Sequence, residues 1–270
     1  MKTLVRCVLA ALLLAGCGKK TPTAPAVTTT GISISSNADF VKIGAQQQLT
    51  LTATLSDGTS KTVSGTWTTD AAGIATVTGG LVRGVASGDA TIGADYDGQH
   101  ATRKVRVTPD FNGSWTGTYK ITTCTDTGAW VGTCDPADAP KNFIITMTFT
   151  QTNASVSGSV AAFSDLTIPA SGSIAVDGLL ALSGSKTQDF GGGLVAKGDL
   201  INWETRMPDA THMTGKFTVV TTSPGVAGDW TLNCDLLTMT KTVTQVSQFS
   251  NRDDSRLPTL RLADILRRPR

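Results

Sequence analysis

The chain has 270 residues, 6% of them aromatic and 16% charged, with 28 glycines and a formal net charge of +2. Low charge and many short Thr/Val/Ile alternations favour folded β structure over disorder. Residues 31–249 carry 13 Lys and Arg against 18 Asp and Glu. Because no basic stripe runs through this body, the charge pattern argues against a nucleic-acid partner.

The first residues have the order of a secretory signal. A positively charged start precedes an apolar block at residues 8–15, which is too short to span a bilayer as a permanent helix. The Leu-Ala-Gly-Cys sequence that ends at Cys17 resembles the lipobox of bacterial lipoproteins. That resemblance implies cleavage after residues 1–16 and acylation of Cys17, for example with palmitate, which anchors the chain to the membrane. The alternative is an ordinary cleaved signal with an accidental cysteine.

Residues 17–30 are predicted to be a lipidated linker rich in Thr and Pro. Gly18 follows the cysteine, and by the sorting habit of lipoproteins the absence of Asp there favours the outer membrane of a two-membrane cell. The expected location is therefore the cell envelope.

Three cysteines remain after Cys7 leaves with the signal and Cys17 takes the lipid: Cys124, Cys134 and Cys234. In an oxidising compartment the default is one disulfide and one free thiol. Sequence alone does not fix the pairing. We favour Cys124–Cys134 because only nine residues separate them.

Residues 31–108 are predicted to form the first domain. Leu49, Leu51 and Ala53 alternate with threonines, which is the period of a strand with one buried face. Asp57-Gly58 and Asp97-Gly98 have the composition of tight hairpin turns.

The segment GTWTTDAAGIATVTGGLVRGVASGDATIGADYDG resembles the bacterial Ig-like group 2 domain. The resemblance implies a small β-sandwich, used in surface adhesins and as a spacer, with Trp67 in its core. A fold-level likeness does not confer adhesion. The matching residues are Trp67, Asp70, Ala75, Thr76, Val77, Gly80, Val82, Gly84, Gly88, Ala90, Thr91 and Ile92.

Residues 110–245 contain about eight predicted strands in sequence, separated by turn residues and without a long crossover. The first two have apolar residues at every second position, starting at Trp115 and at Phe143. A meander of this count can close on itself. The Gly-x-Trp at Trp115 resembles the start of lipocalin- and avidin-type barrels. The predicted fold is therefore all-β, an Ig-like sandwich followed by an antiparallel, up-and-down eight-stranded barrel; a two-sheet sandwich is the alternative for the second domain.

Four tryptophans are candidate ligand or contact residues. Trp115, Trp203 and Trp230 either line a cavity in the barrel or make up its core. If Cys124 and Cys134 pair, Trp130 sits on a stapled loop, where it is either an exposed contact residue or a cap on the barrel mouth.

Catalytic patterns are missing from the sequence. The two histidines, His100 and His212, lie far apart, and no Gly-x-Ser-x-Gly elbow occurs. Nothing in a motif pairs with His212, and a carboxylate pair of Glu204 with Asp199 or Asp209 rests on proximity alone. We predict no catalytic site, no cofactor and no metal.

Two short motifs are better explained as turns. The stretch Gly191–Ala196 matches Gly-x-Gly-x-x-Ala, but strands flank it and no helix follows to hold a phosphate. The stretch Asp95–Gly98 lacks the remaining ligands of a calcium loop.

Residues 246–270 form a basic tail with a different composition. After Pro258, apolar and Arg residues have the spacing of one short amphipathic helix able to touch anionic lipid or a partner. A frayed terminus is the favoured alternative, because so short a helix is marginal alone.

Two hypotheses of function follow. The first is a lipid-anchored envelope protein with a non-catalytic binding, adhesion or spacer role and protein or glycan contacts. The second is a carrier that holds a small apolar ligand in the barrel. Bulky side chains in every interior layer would favour the first, and small ones at an open end the second.

Overall fold

The structure is a computed structural model that describes residues 26–242 and 258–267. It contains an Ig-like domain and a closed eight-stranded antiparallel barrel, so the predicted fold class is confirmed. The signal, Cys17 and residues 243–257 lie outside the described residues. Within the described part of the chain, no helix has the length and hydrophobicity needed to cross a membrane.

The Ig-like domain has ten strands in three small sheets with the orders β1-β4-β5, β2-β10-β9-β6 and β3-β8-β7. The strand β2 runs parallel to the end of β10, and the other pairs are antiparallel. The bounds are β1 Thr29–Ser35, β2 Phe40–Lys42, β3 Gln46–Gln48, β4 Thr50–Leu55, β5 Ser60–Thr62, β6 Thr66–Thr69, β7 Ala75–Thr78, β8 Leu81–Gly84, β9 Gly88–Tyr96 and β10 Gln99–Thr108.

Alternation along these strands builds the core of the Ig-like domain. Leu51 and Ala53 are at most 1% exposed, whereas the alternating residues Thr50, Thr52 and Thr54 are partly buried or exposed. Trp67 is half-buried against the core cluster that includes Leu49 and Ile92. The turn between β9 and β10 has left-handed backbone at Asp97 and Gly98, as a two-residue hairpin of this composition requires.

The barrel strands pair in chain order, and β18 closes the sheet against β11. Closure leaves no open edge in the barrel sheet. The bounds are β11 Gly113–Asp126, β12 Asn142–Thr152, β13 Ser155–Phe163, β14 Leu166–Ile174, β15 Leu180–Asp189, β16 Val195–Arg206, β17 His212–Ser223 and β18 Val226–Thr242.

Glycines bend the barrel strands where neighbouring backbones come closest. A Cβ atom added to Gly158 would lie against the carbonyl oxygen of Thr148, and one added to Gly172 against that of Ala181. Such positions let a sheet turn a corner and curl into a barrel. Gly117, Gly184 and Gly215 have the same close backbone approach.

Two segments cover the barrel end that lies away from the Ig-like domain, here called the far mouth. One is the 3₁₀ turn Gly128–Trp130 between β11 and β12. The other is the helix α1, Leu262–Leu266, whose apolar side chains join the barrel core. Backbone N–H groups of Leu262 and Ala263 donate to the carboxylate of Asp165 at 2.8 and 3.0 Å. The described part of the tail is therefore a docked helix, and its apolar face lies on the barrel.

The two domains are joined by a short, partly buried linker. Four residues separate β10 from β11, and within this junction Thr108 and Phe111 are at most 1% exposed. The side chain of Gln151, from β12, accepts a hydrogen bond from the N–H of Phe111 at 2.8 Å and donates to the carbonyl of Pro109 at 3.0 Å. Gln151 of the barrel therefore holds the linker backbone at two points, Pro109 and Phe111.

Candidate functional site

Three of the candidate tryptophans are buried in the barrel core. Trp115, Trp203 and Trp230 are at most 3% exposed. Each indole N–H has an internal partner: Trp115 donates to the carbonyl of Phe111 at 2.9 Å, and Trp203 to the hydroxyl of Thr205 at 3.1 Å. Trp230 donates to the sulfur of Cys124 at 3.1 Å. Buried tryptophans of this kind provide packing rather than a free polar group for a ligand.

Aromatic rings fill the middle of the barrel. The ring of Tyr119 lies 5.6 Å from that of Phe143 and 5.4 Å from that of Phe217, centroid to centroid. Trp203 continues the cluster, 5.3 Å from Phe217 and 6.5 Å from Phe149. The hydroxyl of Tyr119 donates to the carbonyl of Ala162, and burial raises the pKa of this phenol well above its ordinary value. The interior has bulky side chains where a carrier would need space.

The favoured disulfide, Cys124–Cys134, is present. The disulfide closes the loop that carries Trp130. The side chain of Trp130 has no exposed surface and packs into the barrel core at the far mouth, as a cap does. The carboxylate of Asp126 accepts from the N–H groups of Gly132 and Cys134 at 2.9 and 3.0 Å. These hydrogen bonds from the loop backbone lower the pKa of Asp126.

Among the described residues, Cys234 is the free cysteine, and it faces the barrel core. Burial raises the pKa of its thiol, with a smaller contribution from the charge of Asp235. A buried, protonated thiol is a poor nucleophile. This residue acts as a small apolar side chain in the core.

His212 has a partner that the sequence analysis missed. The carboxylate of Asp209 lies 2.8 Å from its Nδ1, and the hydroxyl of Thr211 lies 3.2 Å from the same nitrogen. A hydrolytic triad needs the acid on one ring nitrogen and the nucleophile on the other, so these contacts do not form a proton relay. The N–H of Thr211 and then the ring of His212 lower the pKa of Asp209 to about 2.

The other carboxylates named from the sequence are also paired locally. Asp199 lies 2.8 Å from the ammonium of Lys197, and Glu204 lies 3.2 Å from that of Lys216. Across the described ranges, no group of three or more His, Cys, Asp or Glu is placed to hold a metal ion. Asp95, in the segment considered for calcium, pairs with His100 at 2.8 Å.

The Gly-x-Gly-x-x-Ala match lies in the connection between β15 and β16. Gly191, Gly192 and Gly193 all have left-handed backbone, and the next element is a strand. This geometry is a turn, as expected.

A concave feature lies on the outer face of the barrel. It is a hollow of about 430 Å³ across the neighbouring strands β16, β17, β18 and β11. An adjoining hollow of about 320 Å³ shares part of its lining. We call the two together the outer groove, defined by the side chains of Thr122, Asn202, Glu204, Lys216, Asn233 and Asp235.

The wall of the outer groove is polar and partly pre-ordered. The amide of Asn233 accepts a hydrogen bond from the hydroxyl of Thr218 at 2.7 Å and donates to that of Thr123 at 2.7 Å. The hydroxyl of Thr122 donates to the carbonyl of Asn233 at 2.9 Å. These contacts fix the orientation of Asn233 within the groove.

Sequence reasoning missed the outer groove because its residues are scattered along the chain. Thr122 and Asp235 are separated by most of the barrel sequence, and they become neighbours only when β18 pairs with β11. Asn202, with a left-handed backbone (φ 50°), gives no local sequence signal. A reliable pairing of the closing strands would have been needed to find the site.

A second hollow, of about 470 Å³, lies between the domains. Ile43 and Val85 of the Ig-like domain face Met207 and Pro208 of the barrel across it. Its rim includes Asp110. Burial raises the pKa of this carboxyl, but the ammonium groups of Lys42 and Lys241 lower it by more, so the net shift is downward.

Comparison with known proteins supports the assignment of the first domain. Residues 28–108 match the family model of the bacterial Ig-like domain (group 2), which confirms that resemblance. No curated protein sequence matches the chain.

Two solved structures of one surface layer protein also align with the chain. SbsC domains 4–9 align at 14% identity and a TM-score of 0.30, covering 80% of this chain and 31% of that one. SbsC domains 5–6 align at 14% identity and a TM-score of 0.28, covering 82% and 100%. The chain therefore spans about a third of the length of the first structure, and superpositions this loose carry no argument about fold or function.

Proposed function

We propose that this protein is a lipid-anchored component of the bacterial cell envelope, in which the Ig-like domain is a rigid spacer that holds the barrel away from the membrane. The bacterial Ig-like domain fits a non-catalytic surface role. The lipobox that ends at Cys17 supports the anchor, and Gly18 after it supports the outer membrane when the cell has two membranes.

The chain direction within the Ig-like domain supports the spacer role. Ile34 accepts a hydrogen bond from the side chain of Arg103, and Lys42 pairs with Thr108. The entering segment therefore runs in the same direction as β10, and Thr29 lies at the pole opposite the barrel. At about 3.3 Å per residue, this places Thr29 roughly 40 Å from the junction, and the tilted barrel strands add roughly 30 Å.

The junction between the domains is the observation that carries the proposal. The carboxylate of Asp110 lies 2.5 Å from the ammonium of Lys42, in the Ig-like domain, and 3.1 Å from that of Lys241, in the barrel. Together with the hydrogen bonds of Gln151 to the linker, this ties both domains to the same four residues. Loss of freedom at this point is what a spacer requires, since unpinned domains move by default.

The packing of the barrel supports a contact role on its outside in place of a carrier role. Trp203, Phe217 and Tyr119 occupy the interior with direct ring contacts. A carrier would show excess mass in a native mass spectrum that disappears on denaturation. We expect the bare mass of the chain and its anchor.

The anchor is tested by metabolic labelling with radioactive palmitate. We expect label on the wild-type protein and none on Cys17→Ser. The matched control is Cys7→Ser, a cysteine of the same signal region that the lipobox does not use, which should keep the label and the membrane location. Equal labelling of wild type and Cys17→Ser, or none in either, would contradict the anchor.

A further inference from the structure

The outer groove is a concave region on the outside of the barrel, a surface that is ordinarily convex. Irregular strand geometry borders it. Three breaks in strand register border it: between Ile201 and Glu204 on β16, between Met213 and Gly215 on β17, and between Ile121 and Thr123 on β11. Bulges bend strands and re-aim side chains, and they concentrate next to binding sites.

Asn202 adds backbone strain at the same place. Its φ of 50° is left-handed, one of three such non-glycine residues in the described chain. The other two, Asp97 and Asn153, lie in tight turns between strands. Asn202 lies inside β16, and there this conformation turns its side chain into the groove lining. Because Asn202 lies at the register break between Ile201 and Glu204, its left-handed backbone belongs to a bulge that borders the groove.

The polar ends in the groove are available to a ligand. Within the described part of the chain, the side chains of Asn202 and Asp235 make no hydrogen bond, and both residues are exposed. Glu204 and Lys216 pair at 3.2 Å but are about half exposed. A ligand therefore meets amide groups that donate and accept, carboxylates that accept and an ammonium that donates.

This set of groups fits a neutral, hydroxyl-rich ligand. A carboxylate accepts from two adjacent hydroxyls, and an amide matches a hydroxyl that both donates and accepts. The hollow of about 430 Å³ is lined mainly by polar groups, which leaves a hydrophobic ligand little surface to bind. The carboxylates of Glu204 and Asp235 are matched by the cations of Lys216 and Arg206, and Arg206 also pairs with Asp177. The groove therefore has no net positive charge to attract an anion.

The geometry points to the outer groove as a binding site for a neutral oligosaccharide. This inference rests on the proposed envelope function, because an outward-facing barrel surface is where a saccharide would be met. A few exposed hydrogen bonds without ring stacking give a dissociation constant on the order of 1 mM.

The test is saturation-transfer NMR on the full chain purified in detergent, with maltohexaose, cellohexaose and mannohexaose as neutral probes and a galacturonic acid hexamer as the anionic one. We expect transfer to at least one neutral probe at about 10 mM and a weaker signal from the anion. Asp235→Asn should weaken binding by about tenfold, since a charged hydrogen bond is lost from an exposed side chain.

Thr240→Ala is the matched control, since it is an outward residue on the same strand beyond the groove lining. It should bind like wild type, and both variants should keep the wild-type unfolding temperature. The inference is overturned if no neutral probe receives saturation, if the anion binds more tightly than every neutral probe, or if Asp235→Asn and Thr240→Ala bind equally. Palmitate labelling of Cys17 is independent of these outcomes, so failure of the site and failure of the anchor are distinguishable.

Discussion

Removal of the disulfide by Cys124→Ala with Cys134→Ala is expected to destabilise the protein while leaving the native loop in place. The bond joins residues 10 apart in sequence, and loop-closure entropy for that length amounts to about 2.7 kcal/mol at 25 °C. The free energy of unfolding should fall by about this much. The loss acts on the unfolded chain, which gains conformations that the bond had removed.

The native loop should survive because other contacts hold it. Asp126 accepts two hydrogen bonds from the loop backbone, and the hydroxyl of Thr133 donates to the carbonyl of Trp130 at 2.5 Å. Acrylamide quenching of tryptophan fluorescence should therefore be unchanged in the folded variant. The stability loss would appear as a lower urea midpoint. The slope of unfolding free energy against urea should be slightly smaller in the oxidised protein, because its cross-linked denatured chain exposes less surface.

The assay compares oxidised wild type, reduced wild type and the double variant by urea unfolding. Reduced wild type and the double variant should agree with each other. A difference of less than about 0.5 kcal/mol from oxidised wild type would refute the reasoning. So would strong quenching of the folded variant, because the disulfide would then be what holds Trp130 in the barrel mouth.

Three further results are expected. Gly158→Ala should cost about 3 kcal/mol of unfolding free energy in thermal or urea unfolding, since a Cβ there meets the carbonyl of Thr148 and the backbone has to shift. Leu262→Ala should cost about 3 kcal/mol because the side chain is fully buried against the barrel, measured by the same unfolding. The carboxyl of Asp209 should titrate at about 2 in carbon-detected NMR. Because the folded pKa lies below the pKa in the unfolded chain, this carboxylate stabilises the fold fully at pH values above the unfolded pKa. The stabilisation is lost as the pH falls toward 2.

Each of these has a control in the same chain. Gly31→Ala places its Cβ in open space and should change stability little; equal losses at both glycines would contradict the corner role. Leu237→Ala removes a leucine that is 37% exposed, and a loss as large as that of Leu262→Ala would mean that the tail helix is not docked. His212→Ala should raise the pKa of Asp209, and an unchanged pKa would show that the ring does not stabilise the carboxylate.

The strand pattern could be predicted because burial follows the period of two residues. Phe143 and Ile145 face the core while their neighbours face outward, and the number of such strands was enough to predict closure. The inward-facing glycines also indicate a closed barrel, but less plainly. Gly158 and Gly172 look like gaps in the apolar pattern, yet they mark where adjacent backbones approach.

The docking of the tail helix and the outer groove could not be predicted from local sequence pattern. The helix α1 has five residues, too few for its own stability, and its docking depends on Asp165, which lies far away in the sequence. The groove depends on pairing between the first and last barrel strands. Both are tertiary features, so only the folded chain reveals them.

The central claim, a spacer rigid at its junction, is tested most directly by ¹⁵N relaxation of both domains. One rotational diffusion tensor should fit the Ig-like domain and the barrel together, and Gln151→Ala with Asp110→Asn should separate them into two. Gln188→Ala, an amide at the other end of the barrel, should leave the single tensor intact. Independent tumbling of the two domains in the wild-type protein would contradict the account.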